Sequence, residues 1–195
     1  MKLLFTGASG FLGSNVRPLL EGMYGVKTVG LSPKDDYTID IAKEIPVLRE
    51  RYDIVLHVAG KAHSVPKTEA ERQVFCDVNL QGTKNLCTAL ERRRVPRAFI
   101  FISTVAVYGC AYGENITEDH PLDGDTPYAM SKRLAEEYLQ KWCYEHNVIL
   151  GIIRPSLIAG PNPPGNLGAM IHGIRSGKYL SIAGGQARKS VLMVQ

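Results

Sequence analysis

Eleven residues near the amino terminus constrain this chain more than any others: Leu3-Leu4-Phe5-Thr6-Gly7-Ala8-Ser9-Gly10-Phe11-Leu12-Gly13. An apolar run of strand type ends at three glycines spaced three apart, and a helical pattern follows. Gly7 allows the tight turn, Gly10 lets the backbone approach a ligand, and Gly13 lets the helix pack close to the sheet. The amides of the helix N-terminus then face that ligand, and a pyrophosphate is the group they suit. Glycines at this spacing also occur in ordinary turns. Their place after the first strand and at the start of the first helix favours a dinucleotide cradle.

The rest of the chain continues the alternation. Lys2–Thr6, Val26–Leu31, Asp53–Ala59, Ala98–Val107 and Val148–Ile153 read as strands, and Phe11–Gly22, Ile41–Arg51, Glu69–Arg93 and Thr126–His146 as helices. Strands alternating with helices of this length predict βαβ units and a doubly wound parallel sheet covered on both faces, an α/β fold. Pro18 lies beyond the first helical turn and predicts a kink or an early helix end. Arg92-Arg93-Arg94 reads as a solvated helix end whose cations complement the dipole. After Ile158 the composition shifts to Gly160-Pro161-Asn162-Pro163-Pro164-Gly165, a loop. A short amphipathic helix at Leu167–Ser176 follows, then strand-like pieces at Tyr179–Ala183 and Val191–Val194. These predict the start of a smaller C-terminal lobe, giving a boundary between residues 1–158 and 159–195.

Composition bounds the function. With 45% hydrophobic residues over 195 positions the chain has enough apolar material for a sizeable core. The 23 Lys+Arg against 19 Asp+Glu leave +4, too little to argue for nucleic acid or a membrane surface. The longest apolar stretch, Val148 to Ala159, is broken by Arg154-Pro155, so no membrane span is expected. Cys76, Cys87, Cys110 and Cys143 form no CxxC pair, which indicates neither zinc nor a disulfide framework and points to a reduced, cytoplasmic setting.

Two further elements carry chemistry. Thr126-Pro127 predicts a capped helix start, after which Tyr128 and Lys132 stand i,i+4 on one face. An ammonium near a phenol lowers its pKa and makes tyrosine an acid/base for a hydroxyl or carbonyl. Most such pairs are a packed ring beside a solvated amine. This one begins near the carboxyl ends of the strands, where doubly wound sheets bind ligands. Ser103 and Thr104 end the run Phe99-Ile100-Phe101-Ile102, and by strand period only one of the two hydroxyls faces a bound cofactor. The residue after the second strand does not choose between NAD and NADP. Gly30-Leu31-Ser32-Pro33-Lys34 holds no acid at the tip, and Asp35 and Asp36 come later.

Together these elements resemble the extended short-chain dehydrogenase/reductase family, in its NAD-dependent epimerase/dehydratase branch. The glycine segment is similar to that branch's TGxxGFxG signature, Ser103-Thr104-Val105-Ala106-Val107-Tyr108-Gly109 to its S-[ST]-x-x-V-Y-G segment, and Tyr128-x-x-x-Lys132 to its catalytic pair. His57-Val58-Ala59-Gly60, Asn79-Leu80-Gln81-Gly82-Thr83 and Arg154-Pro155-Ser156-Leu157-Ile158-Ala159-Gly160-Pro161 extend the match along nearly the whole chain. The resemblance implies a Rossmann-type domain with NAD as cofactor, NADP staying open, and a nucleotide-sugar substrate. It implies that Thr104 holds the reacting sugar oxygen, Tyr128 is the general acid/base, and Lys132 holds the nicotinamide ribose and lowers the tyrosine pKa. It places Gly7, Gly10, Phe11, Leu12 and Gly13 at the pyrophosphate, Asp40 and Ile41 at adenine, and Ala59 and Gly60 on the phosphate side. Asn79 buttresses the cofactor, and Pro155 lies near the nicotinamide. His57 and His63 are read as structural, with no metal ligand among these residues.

One departure sharpens the reading. The branch's 4,6-dehydratases carry an Asp-Glu pair after the threonine, where this chain has Val105-Ala106, which transfer no protons. A 4-epimerase is therefore the first expectation. A keto-sugar or other carbonyl reductase is the alternative, and a non-catalytic dinucleotide-binding protein the second. Family members continue past this length, so the resemblance implies that much of the sugar pocket lies beyond residue 195. Relatives often dimerise through the corresponding helices. The stripe Leu134, Tyr138 and Trp142 suits such a homodimer, although intramolecular core is the commoner use of that spacing.

Overall fold

The computed structural model describes residues 1–62, 64–179 and 188–194. Its main sheet has six strands: β1 (Lys2–Thr6), β2 (Gly25–Gly30), β3 (Tyr37–Thr38), β4 (Ile54–His57), β5 (Ala98–Ile102) and β6 (Ile149–Ile153). All pairs are parallel, in the order β3-β2-β1-β4-β5-β6. This is the Rossmann arrangement, with the strand order reversing between β1 and β4. Helices α1 (Phe11–Glu21), α2 (Glu69–Cys76), α3 (Gly82–Arg93) and α4 (Pro127–Glu145) connect the strands.

Strand β1 shows why the sheet must be covered on both sides. Leu3, Leu4, Phe5 and Thr6 are all buried, although successive side chains leave opposite faces. Leu4, Val55, Phe99 and Phe101 share one core cluster with Leu86 and Leu90 of α3 and with Leu139 and Trp142 of α4. The register then sets the stage for chemistry. Thr6 pairs with His57, and His57 with Phe101, so three central strands present their carboxyl ends level with one another.

The sequence expectations needed four corrections here. Residues 41–51 form no helix. Asp40 caps a single turn, its carboxylate accepting from the Ala42 amide at 3.1 Å, and Pro46, which supplies no amide and disfavours helical backbone at the residue before it, follows. Leu48 and Tyr52 nevertheless reach the core, which explains the misleading apolar pattern. The short β3 went unpredicted because two residues carry no periodicity. The helix expected over Glu69–Arg93 is continuous but contains a π segment at Asp77–Gln81, where the Gly82 amide returns to the Asp77 carbonyl. The strand expected over Ala98–Val107 stops at Ile102, and Val105–Tyr108 is a 3₁₀ turn.

Pro18 does not end α1, which runs three residues further to Glu21. Arg92, Arg93 and Arg94 end α3 in solvent, and Arg93 donates to the Arg49 carbonyl at 2.8 Å. Trp142 is buried in the core while Leu134 is exposed, so the stripe on α4 is only partly core. Past the main sheet, β7 (Leu157–Ala159) and β8 (Val191–Met193) form a separate parallel pair, and α5 (Gly165–Arg175) lies between them in sequence. The strand expected at Tyr179–Ala183 falls, beyond Tyr179, outside the described residues, as does His63. Among the described residues no helix is long and apolar enough to cross a membrane.

Candidate active site

The glycine turn is held by backbone contact. Gly7 has φ +73°, the left-handed region that penalises a side chain, and a Cβ there would stand 2.5 Å from the Ala59 nitrogen. A Cβ on Gly13 would collide with the Gly7 carbonyl and lie 2.7 Å from Ala8 Cα. The Gly10 amide donates to the Gly7 carbonyl at 3.1 Å, and Ser14 to the Gly10 carbonyl at 2.8 Å, so the turn runs directly into α1. Gly10 is the N-cap, and no side chain caps this end of α1. The first amides, those of Phe11 and Leu12 among them, therefore lack a side-chain acceptor, as an anion cradle requires. The Phe11 ring reaches to 3.5 Å from the Cβ position of Gly160, so the segment after β7 lies against this end of the helix.

At the neighbouring strand tip, Asp35 lies five residues past the end of β2 and folds back onto it. Its carboxylate accepts from the Ser32 amide at 3.1 Å and stands 2.5 Å from the Cβ position of Gly30. The sequence reading saw no acid at the tip, because the tight turn that returns Asp35 to it is invisible to strand spacing. Asp40 follows on the turn after β3. Ile41 is buried against Gly82 of α3, and its carbonyl accepts from the Asn85 side chain at 2.7 Å.

The opposite wall is built from buried polar side chains. Thr126 caps α4, accepting from the Ala129 amide at 3.2 Å, with Pro127 in the first turn as expected. Thr104 caps the 3₁₀ turn, accepting from the Ala106 amide at 3.2 Å, and its hydroxyl lies near the Tyr128 phenol. This answers which strand-end hydroxyl meets the tyrosine. Ser103 Oγ is buried with no partner among the described residues. Pro155 lies beside this turn, its carbonyl accepting from the Val105 amide at 3.2 Å.

Lys132 is 3% exposed, and its ammonium donates to the Ile102 carbonyl at 2.8 Å while lying 4.5 Å from the centre of the Phe101 ring. Burial pulls its pKa down from 10.5 to about 8, against an opposing pull from the Glu136 carboxylate. Burial pushes the Tyr128 phenol up from 10, and the nearby Thr104 hydroxyl opposes it. The lowering expected from the Tyr-x-x-x-Lys spacing does not appear. The ammonium is spent on a strand carbonyl and a ring face, and it carries its charge reluctantly.

Asn79, on the π segment, is fully committed. Its side chain accepts from the Lys61 amide at 2.8 Å and donates to the Lys61 carbonyl at 3.1 Å and to Ser131 Oγ at 2.8 Å. Gly60 is pinned beside it, its Cβ position lying 2.9 Å from Asn79 Oδ1 and 3.1 Å from Lys132 Nζ. Ala59 donates its amide to Thr6 Oγ1 at 3.1 Å. Thus the residues singled out along the sequence converge on the carboxyl edge of β1, β4 and β5. Asp40 and Ile41 lie on the turn after the edge strand β3.

Glu136 and Arg154 were not singled out from the sequence, yet they form a buried ion pair. Glu136 is 1% exposed and meets Arg154 at 2.7 Å, and the guanidinium also donates to Tyr108 Oη at 3.0 Å and to the Glu118 carbonyl at 3.1 Å. The signal was available, since Glu136 lies i+4 from Lys132 on the same helix stripe.

A family model described as the NAD dependent epimerase/dehydratase family matches residues 3–194. The chain is 31% identical over 200 residues to the N-acetyl-alpha-D-glucosaminyl-diphospho-ditrans,octacis-undecaprenol 4-epimerase of Escherichia coli O157:H7, covering 98% of this chain and 59% of that protein. It is 30% identical over 194 residues to the UDP-glucose 4-epimerase of Vibrio cholerae, covering 90% of this chain and 57% of that one. The chain thus spans less than two thirds of the length of these curated relatives. The solved structure of the dTDP-glucose 4,6-dehydratase from Streptomyces venezuelae with NAD bound superposes at a TM-score of 0.82 with 26% identity, covering 100% of this chain and 68% of that one.

Proposed function

The chain belongs to the NAD dependent epimerase/dehydratase family, and from that premise we propose that it works as an NAD-dependent sugar-nucleotide 4-epimerase. Residues 1–158 hold the cofactor and the catalytic side chains, and residues 159–195 begin the substrate lobe. The observation that carries this reading is the convergence on one sheet edge of a glycine turn without a side-chain cap and the side chains of Thr104, Tyr128 and buried Lys132. Both features fit the cofactor. The α1 amides suit the pyrophosphate, Lys132 the nicotinamide ribose, and Asp35 at the β2 tip the adenosine ribose. A carboxylate there accepts from a 2′-hydroxyl and repels a 2′-phosphate, which favours NAD over NADP.

Bound NAD supplies the hydride-accepting and hydride-returning chemistry. The protein's part is proton transfer at one sugar oxygen. Thr104 Oγ1 holds that oxygen, and Tyr128 Oη takes its proton on oxidation and restores it on reduction. The phenol is held protonated by burial, which suits the donating direction. The accepting direction needs the Lys132 ammonium brought to bear on it. Val105, 43% exposed on the 3₁₀ turn beyond Thr104, and Ala106 offer no acid or base for eliminating water. This favours epimerisation over dehydration. We place the enzyme in the reducing cytoplasm, in keeping with its free cysteines, and assign the exposed Met130 and Leu134 of α4 to a homodimer contact.

Titration calorimetry with NAD⁺ and NADP⁺ tests the cofactor. NAD⁺ should bind more tightly, and Asp35→Asn should narrow the gap; failure of a folded sample to bind either sinks the reading. Turnover of UDP- and dTDP-linked hexoses by a protein with a complete substrate lobe tests the chemistry. Tyr128→Phe should lose about 10²–10⁴-fold in rate, and a loss under about tenfold would remove Tyr128 from its role.

A further inference from the structure

His57 is fully buried at the end of β4, between the Phe99 and Phe101 rings, and the mechanism above gives it no part. Both its ring nitrogens are engaged. Nδ1 lies 2.6 Å from Thr6 Oγ1 and Nε2 lies 2.9 Å from Thr83 Oγ1.

The direction of each proton follows from the ends of this chain. Thr83 Oγ1 lies 2.6 Å from the Asn79 carbonyl, which only accepts, so the single hydroxyl proton of Thr83 is committed there. Thr83 must then accept from His57 Nε2–H. The neutral ring is left with Nδ1 as acceptor, and Thr6 donates to it. Thr6 Oγ1 in turn accepts from the Ala59 amide. Four hydrogen bonds thus run one way, from Ala59 through Thr6, His57 and Thr83 to Asn79, and each group uses its one proton. An imidazolium would present N–H to Thr6 and cost that donated bond. Burial and the nearby Lys132 charge also hold the ring neutral, with a pKa pulled from 6.5 to about 3.

The two ends of the chain lie at the glycine turn and beside the helix that carries Tyr128. Ala59 lies under the glycine turn, where the Cβ of any residue replacing Gly7 would strike it. Asn79 clamps Lys61 and donates to Ser131 Oγ, which donates to the Tyr128 carbonyl at 2.8 Å. We propose that His57, fixed as the neutral Nε2–H tautomer, is a positioning residue that locks the glycine turn to the helix carrying Tyr128. Its effect on cofactor affinity rests on the NAD reading above, whereas the proton order does not.

The test has two readouts. Long-range ¹H–¹⁵N NMR of the chain should show His57 as the Nε2–H tautomer with no titration between about pH 5 and 8. An Nδ1–H pattern, or protonation in that range, overturns the proposal. Calorimetry with NAD⁺ then compares Thr83→Val, Thr83→Ser and, as a control loosening the same helix, Leu90→Val. Thr83→Val should weaken binding about tenfold, with Thr83→Ser and Leu90→Val within about twofold of the parent. Unchanged affinity in Thr83→Val, or an equal loss in Leu90→Val, overturns the positioning role. If the parent itself binds no NAD⁺, the cofactor reading fails, and the nitrogen spectrum still decides the proton order.

Discussion

The two walls of the candidate site are made by opposite means. The glycine turn between β1 and α1 is specified by side chains that must be missing, and its contacts are backbone against backbone. The wall formed by α4 and the end of β5 is specified by side chains that must be present and paired: Thr104, Lys132, Glu136 and, reaching across from the segment after β6, Arg154. Backbone packing carries no net charge and is indifferent to pH. Buried ions carry a desolvation cost that only their partners offset. The first wall should therefore fail by steric insult and the second by charge imbalance.

Removing one ion should give the largest effect. Glu136→Leu leaves Arg154 facing an apolar side chain and is expected to cost about 4 kcal/mol, while Glu136→Leu combined with Arg154→Leu should recover part of that loss. Chemical denaturation of both variants decides it, and a double variant less stable than the single one would break the comparison. On the other wall, Gly13→Ala drives a Cβ into the Gly7 carbonyl and should cost about 3 kcal/mol by the same measurement. The Cβ position of Gly10 meets only the Gly7 carbonyl, at 3.3 Å, so Gly10→Ala should cost clearly less.

The pH dependence sharpens the contrast. Lys132 has its pKa depressed from 10.5 to about 8 on folding. Below pH 8 the folded protein carries the full cost of the buried charge. Between pH 8 and 10.5 the unfolded chain holds this proton and the folded one releases it, so stability rises with pH. Relative to Lys132→Met, the parent should gain about 3 kcal/mol across that window. Parallel stability curves for the two proteins would show that the ammonium is not desolvated as described. Gly10→Ala, on the neutral wall, should shift the curve without changing its slope. The smallest effect belongs to the helix cap. Thr126→Ala should cost about 1 kcal/mol, read as a lowered thermal midpoint, with Thr126→Ser close to the parent.

How much of this was legible in the sequence differs by wall. The glycine turn was readable in full, because a turn with no side chains is written in adjacent residues. Tyr128 and Lys132 were readable as a helix pair, since i,i+4 spacing places them on one face whatever surrounds them. Where Lys132 would point was not readable. The Ile102 carbonyl and the Phe101 ring lie 30 and 31 positions away in sequence, on a strand. Asp35 was missed because a turn reverses the chain between it and Gly30. The helix expected at Ile41–Arg51 failed because Ile41, Leu48 and Tyr52 are buried by long-range packing, which an apolar count cannot separate from helical periodicity.

The sequence by itself determined the alternation of strands and helices, the parallel sheet, the glycine turn, the capped start of α4 and the i,i+4 spacing of Tyr128 and Lys132. All of these are local, fixed by dihedral preferences, period and capping within a few residues. Only the tertiary structure decided which hydroxyl meets Tyr128, that Asp35 stands at the β2 tip, that Glu136 answers Arg154, and that four hydrogen bonds through His57 join the two walls. Those facts depend on strand register and on burial. Register brings Thr6 beside His57 across 51 positions, and burial turns a polar side chain from an option into an obligation to find a partner.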